Sequence, residues 1–288
     1  MKKRLITAAA LFVLLGVVIW QIYTPVFIAV IAAFSALAAN EIMKCAKISN
    51  KFLLIVGTII AAIIPLLSCA STMEPLISTD VWFKVINFIP RSVIITAVLL
   101  SYMLAMLKGY SHTKFEDVAI AAIASLAVPY AFSLFGVMRD LLGYQTQFGI
   151  YLVFYGLIAA LGTDSGAQLG GMAFGKTKMA PNISPKKTVE GAACGIVFGF
   201  ILNGVALTLY NKLGIVPIPK NQAAILLIAS PFIQFMGMMG DLSASVLKRN
   251  FDVKDFGWIF PGHGGVMDRF DSSLFTIPLT YCLAVFFL

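Results

Sequence analysis

Long apolar runs separated by short polar segments dominate the chain. Nine runs approach the roughly 20 residues that a membrane-spanning helix needs; they cover residues 5–22, 25–43, 52–70, 91–107, 117–137, 148–172, 190–211, 222–247 and 271–288. Mean hydropathy is +0.93 and only 12% of the 288 residues are charged, against about 25% in soluble domains. The pattern predicts an all-α integral membrane protein with about nine transmembrane helices in a single polytopic domain over residues 1–288.

Lys and Arg are unevenly distributed between alternate polar segments. With the N-terminus in the cytoplasm, sixteen of the 21 Lys and Arg lie on the cytoplasmic side. The other five are Lys84, Arg91, Arg139, Lys212 and Lys220. Cytoplasmic loops carry such an excess. We therefore expect the N-terminus and the charged loops at the cytoplasmic face. The net charge of +8 then follows from topology, and we expect no nucleic acid partner.

Small residues recur within two of the predicted helices. Glycine appears at every fourth position in both, at Gly162, Gly166, Gly170, Gly191, Gly195 and Gly199. This spacing lets helix backbones approach closely, so we expect these glycines to serve helix packing rather than to contact a ligand. The four cysteines show no metal-ligand spacing, and we expect them to pack within the membrane.

Charged residues concentrate in residues 245–271 of this otherwise apolar chain. The stretch holds four carboxylates, four Lys or Arg and one of the two histidines. Just upstream, Asp241, Ser245 and Lys248 are spaced to share one helix face. Ionisable residues at membrane depth are expensive and usually functional. Asp241 therefore indicates a site, the alternative being a helix-end carboxylate paired with Lys248.

The loop that follows contains Gly262-His263-Gly264-Gly265. Glycines permit backbone conformations in which successive N–H groups face an anion, although a plain turn between helices is the alternative. Four flanking cations favour a phosphate cradle: Lys248, Arg249, Lys254 and Arg269. His263 could be a general acid or base, a metal ligand or a structural group, and we favour an orienting or phosphate-contacting role.

Two carboxylates lie at the start of the last predicted helix. Asp268 is the better metal candidate, since a hard divalent ion prefers oxygen ligands. Asp271 could equally be the N-cap of that helix, because Asp favours this position.

A second polar cluster lies upstream. Asp164 is inside a predicted span and needs a lysine or a metal as its partner. Ser184-Pro185 matches an N-cap followed by proline at the first helical position. Lys186, Lys187 and Glu190 follow; the two lysines could merely reflect topology or could hold phosphate.

Buried carboxylates, cations and a glycine loop at one face indicate Mg²⁺-assisted phosphoryl or nucleotidyl transfer. No Walker A or GxGxxG element is present. The run from Ser245 through Lys248-Arg249, Lys254-Asp255, Phe260-Pro261 and His263-Gly264-Gly265 to Asp268-Arg269-Phe270-Asp271 resembles the signature of the phosphatidate cytidylyltransferase (CDP-diacylglycerol synthase) family. Ser184–Gly191 and Asp164-x-Gly166-Ala167 also resemble the bacterial members.

This resemblance implies that CTP and phosphatidic acid give CDP-diacylglycerol and pyrophosphate in a bacterial inner membrane, with the active site cytoplasmic. It implies that Asp241 and Asp268 hold Mg²⁺, with a second cation as an open alternative. Our own hypothesis is that the catalytic residues are Asp241, Asp268, Lys248, Arg249, Lys254, Asp255, His263, Arg269 and Asp271. We expect the substrate-binding residues to be Asp164, Ser184, Lys186, Lys187, Glu190, Ser245, Gly264 and Gly265.

In this interpretation residues 1–150 supply N-terminal helices, and residues 151–288 supply the catalytic helices and loops. Three alternatives stay open. Two are CTP-using membrane enzymes, namely a polyprenol or phytol kinase and an archaeal-type lipid cytidylyltransferase. The third is an ion-coupled transporter that uses Asp164 and Asp241. The transporter interpretation leaves the charged loop unexplained. Membrane lipid is an expected partner, and a homodimer stays open.

Overall fold

The computed structural model describes residues 16–69, 91–141, 147–214 and 217–288. These residues are mostly helical, and residues 16–20 form the first helical turn described. The longer elements are α1 (Pro25–Cys45), α2 (Lys51–Ser68), α3 (Arg91–Lys108), α4 (Phe115–Ala122), α5 (Val128–Arg139), α6 (Gln147–Phe174), α7 (Val189–Leu213), α8 (Lys220–Asn250), α9 (Met267–Phe270) and α10 (Ser273–Phe287).

Among the described residues, six helical segments are long and apolar enough to cross a membrane. They are Pro25–Cys45, Lys51–Ser68, Phe115–Arg139, Gln147–Phe174, Val189–Leu213 and Lys220–Asn250. Ser92–Lys108 and Ser273–Phe287 are apolar but shorter. The prediction of a helical integral membrane protein is confirmed. Eight of the nine predicted spans coincide with helices to within a few residues, whereas most of 5–22 lies outside the described residues, so the count of nine stays a prediction.

The chain forms two compact units, and each combines segments that are distant in sequence. The N-terminal unit comprises Met1–Val137 with Val253–Arg269, and the C-terminal unit comprises Met138–Asp252 with Phe270–Leu288. Thus part of the region predicted to be catalytic, Val253–Arg269, packs with the N-terminal helices. The single domain over residues 1–288 stays a prediction.

In the N-terminal unit, α1 packs along α2, and both contact a π-helical turn at Ile123–Ala127 that joins α4 to α5. Polar side chains link these helices. The Ser35 hydroxyl donates to the Ala61 carbonyl at 2.8 Å, and the Asn40 amide donates to the Thr58 hydroxyl at 2.9 Å. Such bonds contribute to packing between membrane helices, where apolar burial cannot distinguish protein from lipid.

The C-terminal unit is a bundle of α6, α7, α8 and α10. Here the glycine prediction is confirmed, because α6 and α7 pack through their glycines. A Cβ added at Gly166 would collide with Phe198, one at Gly170 with Cys194, and one at Gly195 with the backbone and side chains of α6. The close approach of these two helices therefore depends on residues without side chains.

A short antiparallel hairpin between α6 and α7 was not predicted. It pairs β1 (Lys178–Ala180) with β2 (Ser184–Thr188). The prediction that Ser184-Pro185 begins the helix is wrong, since both residues lie in β2. The N-cap is Thr188, whose hydroxyl accepts the Gly191 N–H at 3.1 Å. Both strands of a two-stranded sheet are edges, where a proline without an N–H is tolerated.

Candidate functional site

Seven of the predicted site residues lie in the N-terminal unit, on the segment Val253–Arg269: Lys254, Asp255, His263, Gly264, Gly265, Asp268 and Arg269. Asp268 is the buried charged residue among these seven, with 8% of its surface exposed. Its Oδ2 accepts the Phe256 N–H at 2.8 Å and the Gly265 N–H at 3.0 Å. Two backbone donors therefore orient this carboxylate.

The glycine turn brings the backbone of this segment close to Asp268. Gly262 and Gly264 have φ values of 80° and 81°, a region that favours glycine. A Cβ at Gly264 would lie 2.8 Å from Oδ2 of Asp268. The Gly265 N–H donates to Asp268. The predicted roles of Gly264 and Gly265 as phosphate donors stay predictions.

The cationic side chains of this segment face solvent. Lys254 and Arg269 are exposed, as is Asp255. The His263 N–H donates to the Phe260 carbonyl at 2.8 Å, while the buried Nδ1 of His263 has no hydrogen-bond partner among the described residues. These side chains remain available for ligand contacts, and their predicted roles stay predictions.

Sequence reasoning missed Glu41, a buried acid on α1 that contacts this segment. Its carboxylate accepts the Val266 N–H at 3.1 Å and the Met267 N–H at 2.9 Å. The signal was available, because an acid inside a predicted span is functional by default. Glu41 lies within the predicted span 25–43, as Asp164 lies within 148–172 and Asp241 within 222–247.

The other ten predicted residues lie in the C-terminal unit: Asp164, Ser184, Lys186, Lys187, Glu190, Asp241, Ser245, Lys248, Arg249 and Asp271. Asp241, Ser245 and Lys248 are within α8, and each is at least partly shielded from solvent, as expected for one inward helix face. The Asp241 carboxylate forms a salt bridge with Lys187 of β2 at 2.5 Å. Lys187 is thus one partner of Asp241, and the pairing with Lys248 that was predicted as the alternative stays a prediction.

Asp271 is buried between α9 and α10. Burial raises the pKa of this carboxyl to about 7, and the charges of Asp241 and Asp164 add to the increase, while Lys248 opposes it. The N-cap alternative for Asp271 is wrong, because the residue preceding α10 is Ser272. Asp271 instead accepts the Ser272 N–H at 2.9 Å.

Asp164 is linked to the same group of side chains through Ser272. The Ser272 hydroxyl donates to Oδ2 of Asp164 at 3.0 Å. The predicted partner of Asp164 was a lysine or a metal, and the hydroxyl contact with Ser272 was not predicted. Asp164, Asp241 and Asp271 thus share one electrostatic environment within the C-terminal unit. Like charges in such a group disfavour ionisation of all three carboxyls at once.

The remaining residues of this unit surround the hairpin. Glu190 accepts the backbone N–H groups of Lys176 and Thr177 at 3.0–3.2 Å, so its carboxylate holds the turn before β1. Arg249 donates through Nε to the Ile183 carbonyl at 3.3 Å. Lys186 is exposed and Ser184 is partly buried. Their predicted substrate contacts stay predictions, with Glu190 already engaged by the protein.

Comparison with known proteins covers the whole chain. The model of the cytidylyltransferase family matches residues 2–287. A phosphatidate cytidylyltransferase of Bacillus subtilis (strain 168) is 35% identical over 289 aligned residues, covering 100% of this chain and 98% of that protein. A phosphatidate cytidylyltransferase of Staphylococcus aureus (strain COL) is 33% identical over 205 residues, covering 71% and 72% of the two chains. The chain belongs to the cytidylyltransferase family.

Proposed function

We propose that this protein is a phosphatidate cytidylyltransferase, which transfers the CMP group of CTP to phosphatidate and forms CDP-diacylglycerol and pyrophosphate. The observation that carries the proposal is the full-length similarity to the Bacillus subtilis protein of that name. The charged residues of both units supply the chemistry that such a reaction requires.

The reaction joins two anions, so charge neutralisation is the main requirement. An oxygen of the phosphatidate phosphate forms a bond to the α-phosphorus of CTP, the bond from that phosphorus to the bridging oxygen breaks, and pyrophosphate leaves. The attacking oxygen is already anionic, so the reaction needs neither a protein nucleophile nor a strong general base. The exposed cations Lys186, Arg249, Lys254 and Arg269 are suited to offset repulsion between the phosphates.

Mg²⁺ is the proposed cofactor, and Asp241 and Asp268, one carboxylate from each unit, are the proposed ligands. When bound, Mg²⁺ would neutralise charge on the triphosphate and on the departing pyrophosphate. Asp241 already attracts the Lys187 ammonium, and Asp268 presents an oriented carboxylate. The described residues contain no group of three or more His, Cys, Asp or Glu placed for a metal. One or two carboxylates, completed by water and substrate phosphates, are typical of Mg²⁺ sites.

The proposed orientation has the N-terminus and the site at the cytoplasmic face of a bacterial inner membrane, with nine spans. Its support is the excess of Lys and Arg in alternate polar segments. CTP would then be available directly to the charged loops. A second cation and a homodimer stay predictions of the same kind.

Two positions of radiolabel in CTP distinguish this proposal from its alternatives. The purified full-length chain, reconstituted in vesicles containing phosphatidate, is incubated with Mg²⁺ and CTP labelled at the α- or the γ-phosphorus. We expect α-label in the lipid fraction and γ-label in pyrophosphate. A kinase would instead leave γ-label in lipid, and a transporter would leave both labels in CTP. Vesicles without phosphatidate are the control, and lipid labelling there would contradict the assigned acceptor.

A further inference from the structure

Glu41 lies where an N-terminal membrane helix meets the loop that carries Asp268. It is on α1, more than 200 residues away in sequence, and is only 6% exposed. Its two carboxylate oxygens accept different donors: Oε1 the Val266 N–H and Oε2 the Met267 N–H. Both donors lie immediately before Asp268. A buried carboxylate is costly unless hydrogen bonds stabilise it, so this arrangement indicates a specific role.

The loop is shaped to admit this carboxylate. Gly257 and Gly265 both lie directly against Glu41, and a Cβ at either position would overlap its oxygens. These glycines therefore make room for a charged group rather than for a turn alone. Gly265 also donates its N–H to Asp268, so one peptide segment contacts both carboxylates.

Cys45 provides a second contact one helical turn further along α1. Its thiol lies 3.0 Å from the Phe256 carbonyl oxygen, while the Phe256 N–H donates to Asp268. Each backbone segment that binds the Asp268 carboxylate is thus held in turn by α1: Phe256 by Cys45, and the 265–267 segment by Glu41. Outer contacts of this kind fix the orientation of a functional carboxylate.

We propose that Glu41 is a positioning residue for Asp268: it fixes the 265–267 backbone and thereby the direction of the Asp268 carboxylate toward its ligand. The activity readout rests on the proposed function. The structural readout does not, because backbone N–H protection can be measured without substrate.

The decisive variant is Glu41→Gln, which keeps the size of the side chain and removes its charge. A glutamine can accept one N–H, but its own NH₂ then faces the other donor, so one buried donor loses its partner. We expect local opening of residues 256–268, with hydrogen–deuterium exchange about tenfold faster there. Exchange in the C-terminal unit should be unchanged.

The same variant should impair turnover in a characteristic way. Displacement of a functional group by about 1 Å can cost roughly 10²-fold in rate, so we expect kcat for CDP-diacylglycerol formation to fall by about that factor. The Mg²⁺ concentration for half-maximal rate should rise several-fold. A smaller folded fraction lowers the apparent kcat but leaves that midpoint unchanged, which separates positioning from general stability.

Asn40→Ala is the matched control. Asn40 is the preceding residue on α1, and its amide donates to Thr58 of α2 rather than to the loop. This variant should keep wild-type exchange in 256–268 and a wild-type Mg²⁺ midpoint. In Cys45→Ala, exchange in 256–268 and the Mg²⁺ midpoint should lie between the values for Glu41→Gln and Asn40→Ala, because a thiol is a weak donor.

The measurements are exchange by mass spectrometry and initial rates on the full-length protein in lipid nanodiscs. Faster exchange confined to 256–268, with a raised Mg²⁺ midpoint, supports the proposal. Unchanged exchange in Glu41→Gln overturns it, as does faster exchange throughout the N-terminal helices, and so does local opening with normal kinetics. If the wild-type protein forms no CDP-diacylglycerol, the proposed function fails, while the exchange comparison still decides whether Glu41 holds the loop.

Discussion

The carboxylate of Asp268 accepts two backbone N–H groups and is 8% exposed, whereas the carboxylate of Asp241 is held by the side chain of Lys187. In that ion pair the Asp241 side chain is 23% exposed and the Lys187 side chain is 27% exposed. One carboxylate is fixed by main chain and the other by a flexible cation.

For the Mg²⁺ ligands proposed above, the difference predicts two modes of binding. Backbone donors cannot leave without opening the loop, so we expect the direction of Asp268 to be set before any ligand arrives. The Lys187 ammonium sits on a flexible four-carbon stem, so we expect a metal ion to displace it from Asp241 and leave it able to contact phosphate. The proposal thus makes Asp268 a preorganised ligand and Asp241 an exchangeable one.

The largest expected effect comes from removing either charge. Asp268→Asn and Asp241→Asn should each lower kcat by about 10²–10³-fold, a typical cost of losing electrostatic stabilisation. Both variants keep the size of the side chain, so the protein should still fold, as measured by its thermal unfolding midpoint. Near-normal turnover at ordinary Mg²⁺ concentrations would remove that residue from the proposed metal site.

Loss of the exchangeable partner should have a smaller and different effect. Lys187→Ala should lower kcat/KM for CTP about tenfold, comparable to one lost charge-assisted contact of 1.5 kcal/mol. The Mg²⁺ concentration for half-maximal rate should also fall, because the competing ammonium is gone. A Mg²⁺ titration of initial rates measures both quantities. An unchanged midpoint would show that Lys187 does not compete with the metal.

Asp271 allows a pH test of the same carboxylate group. Its raised pKa, about 7, means that the native protein keeps this proton between about pH 4 and 7 while the unfolded chain releases it. Native stability therefore falls as pH rises through that range. Without CTP and divalent ions, the thermal midpoint should be lower at pH 8 than at pH 5. In Asp271→Asn this part of the pH dependence should disappear, and its persistence would contradict the assignment to Asp271.

The smallest expected effect is at Lys212, an exposed lysine in the last turn of α7. It was predicted to lie on the face opposite the site. Lys212→Ala should leave kcat, the KM for CTP and the Mg²⁺ midpoint within about twofold of wild type, since exposed charges contribute little. A larger loss would indicate that cations on both faces serve the reaction, and would weaken the proposed topology.

Long apolar runs were sufficient to predict the longer helices of the described residues, because span length depends on bilayer thickness. Helical periodicity also predicted that Asp241, Ser245 and Lys248 share a helix. Glycine spacing predicted close helix packing, which the structure shows between α6 and α7. These features are local in sequence, so the pattern of residues determines them directly.

The partners of the charged groups were harder to predict, because they depend on contacts between distant segments. Two such contacts are Lys187–Asp241 and Glu41–Val266. The residues in each pair are far apart in sequence, and periodicity does not predict which distant residues meet. The hairpin displaced the predicted helix start from Ser184 to Thr188, since strand pairing there overrides a local capping pattern. Gly265 was correctly placed in a tight turn, but its N–H donates to Asp268 inside the protein.

The stereochemical course at the α-phosphorus tests the central claim most directly: that these residues orient and neutralise the substrates while the phosphatidate oxygen itself attacks. The reaction would use one diastereomer of CTP that carries sulfur on its α-phosphorus, with the wild-type protein and phosphatidate. A single in-line displacement predicts inversion of configuration in the CDP-diacylglycerol analogue. Retention would require two displacements, and hence a covalent intermediate on the protein, and would contradict the account.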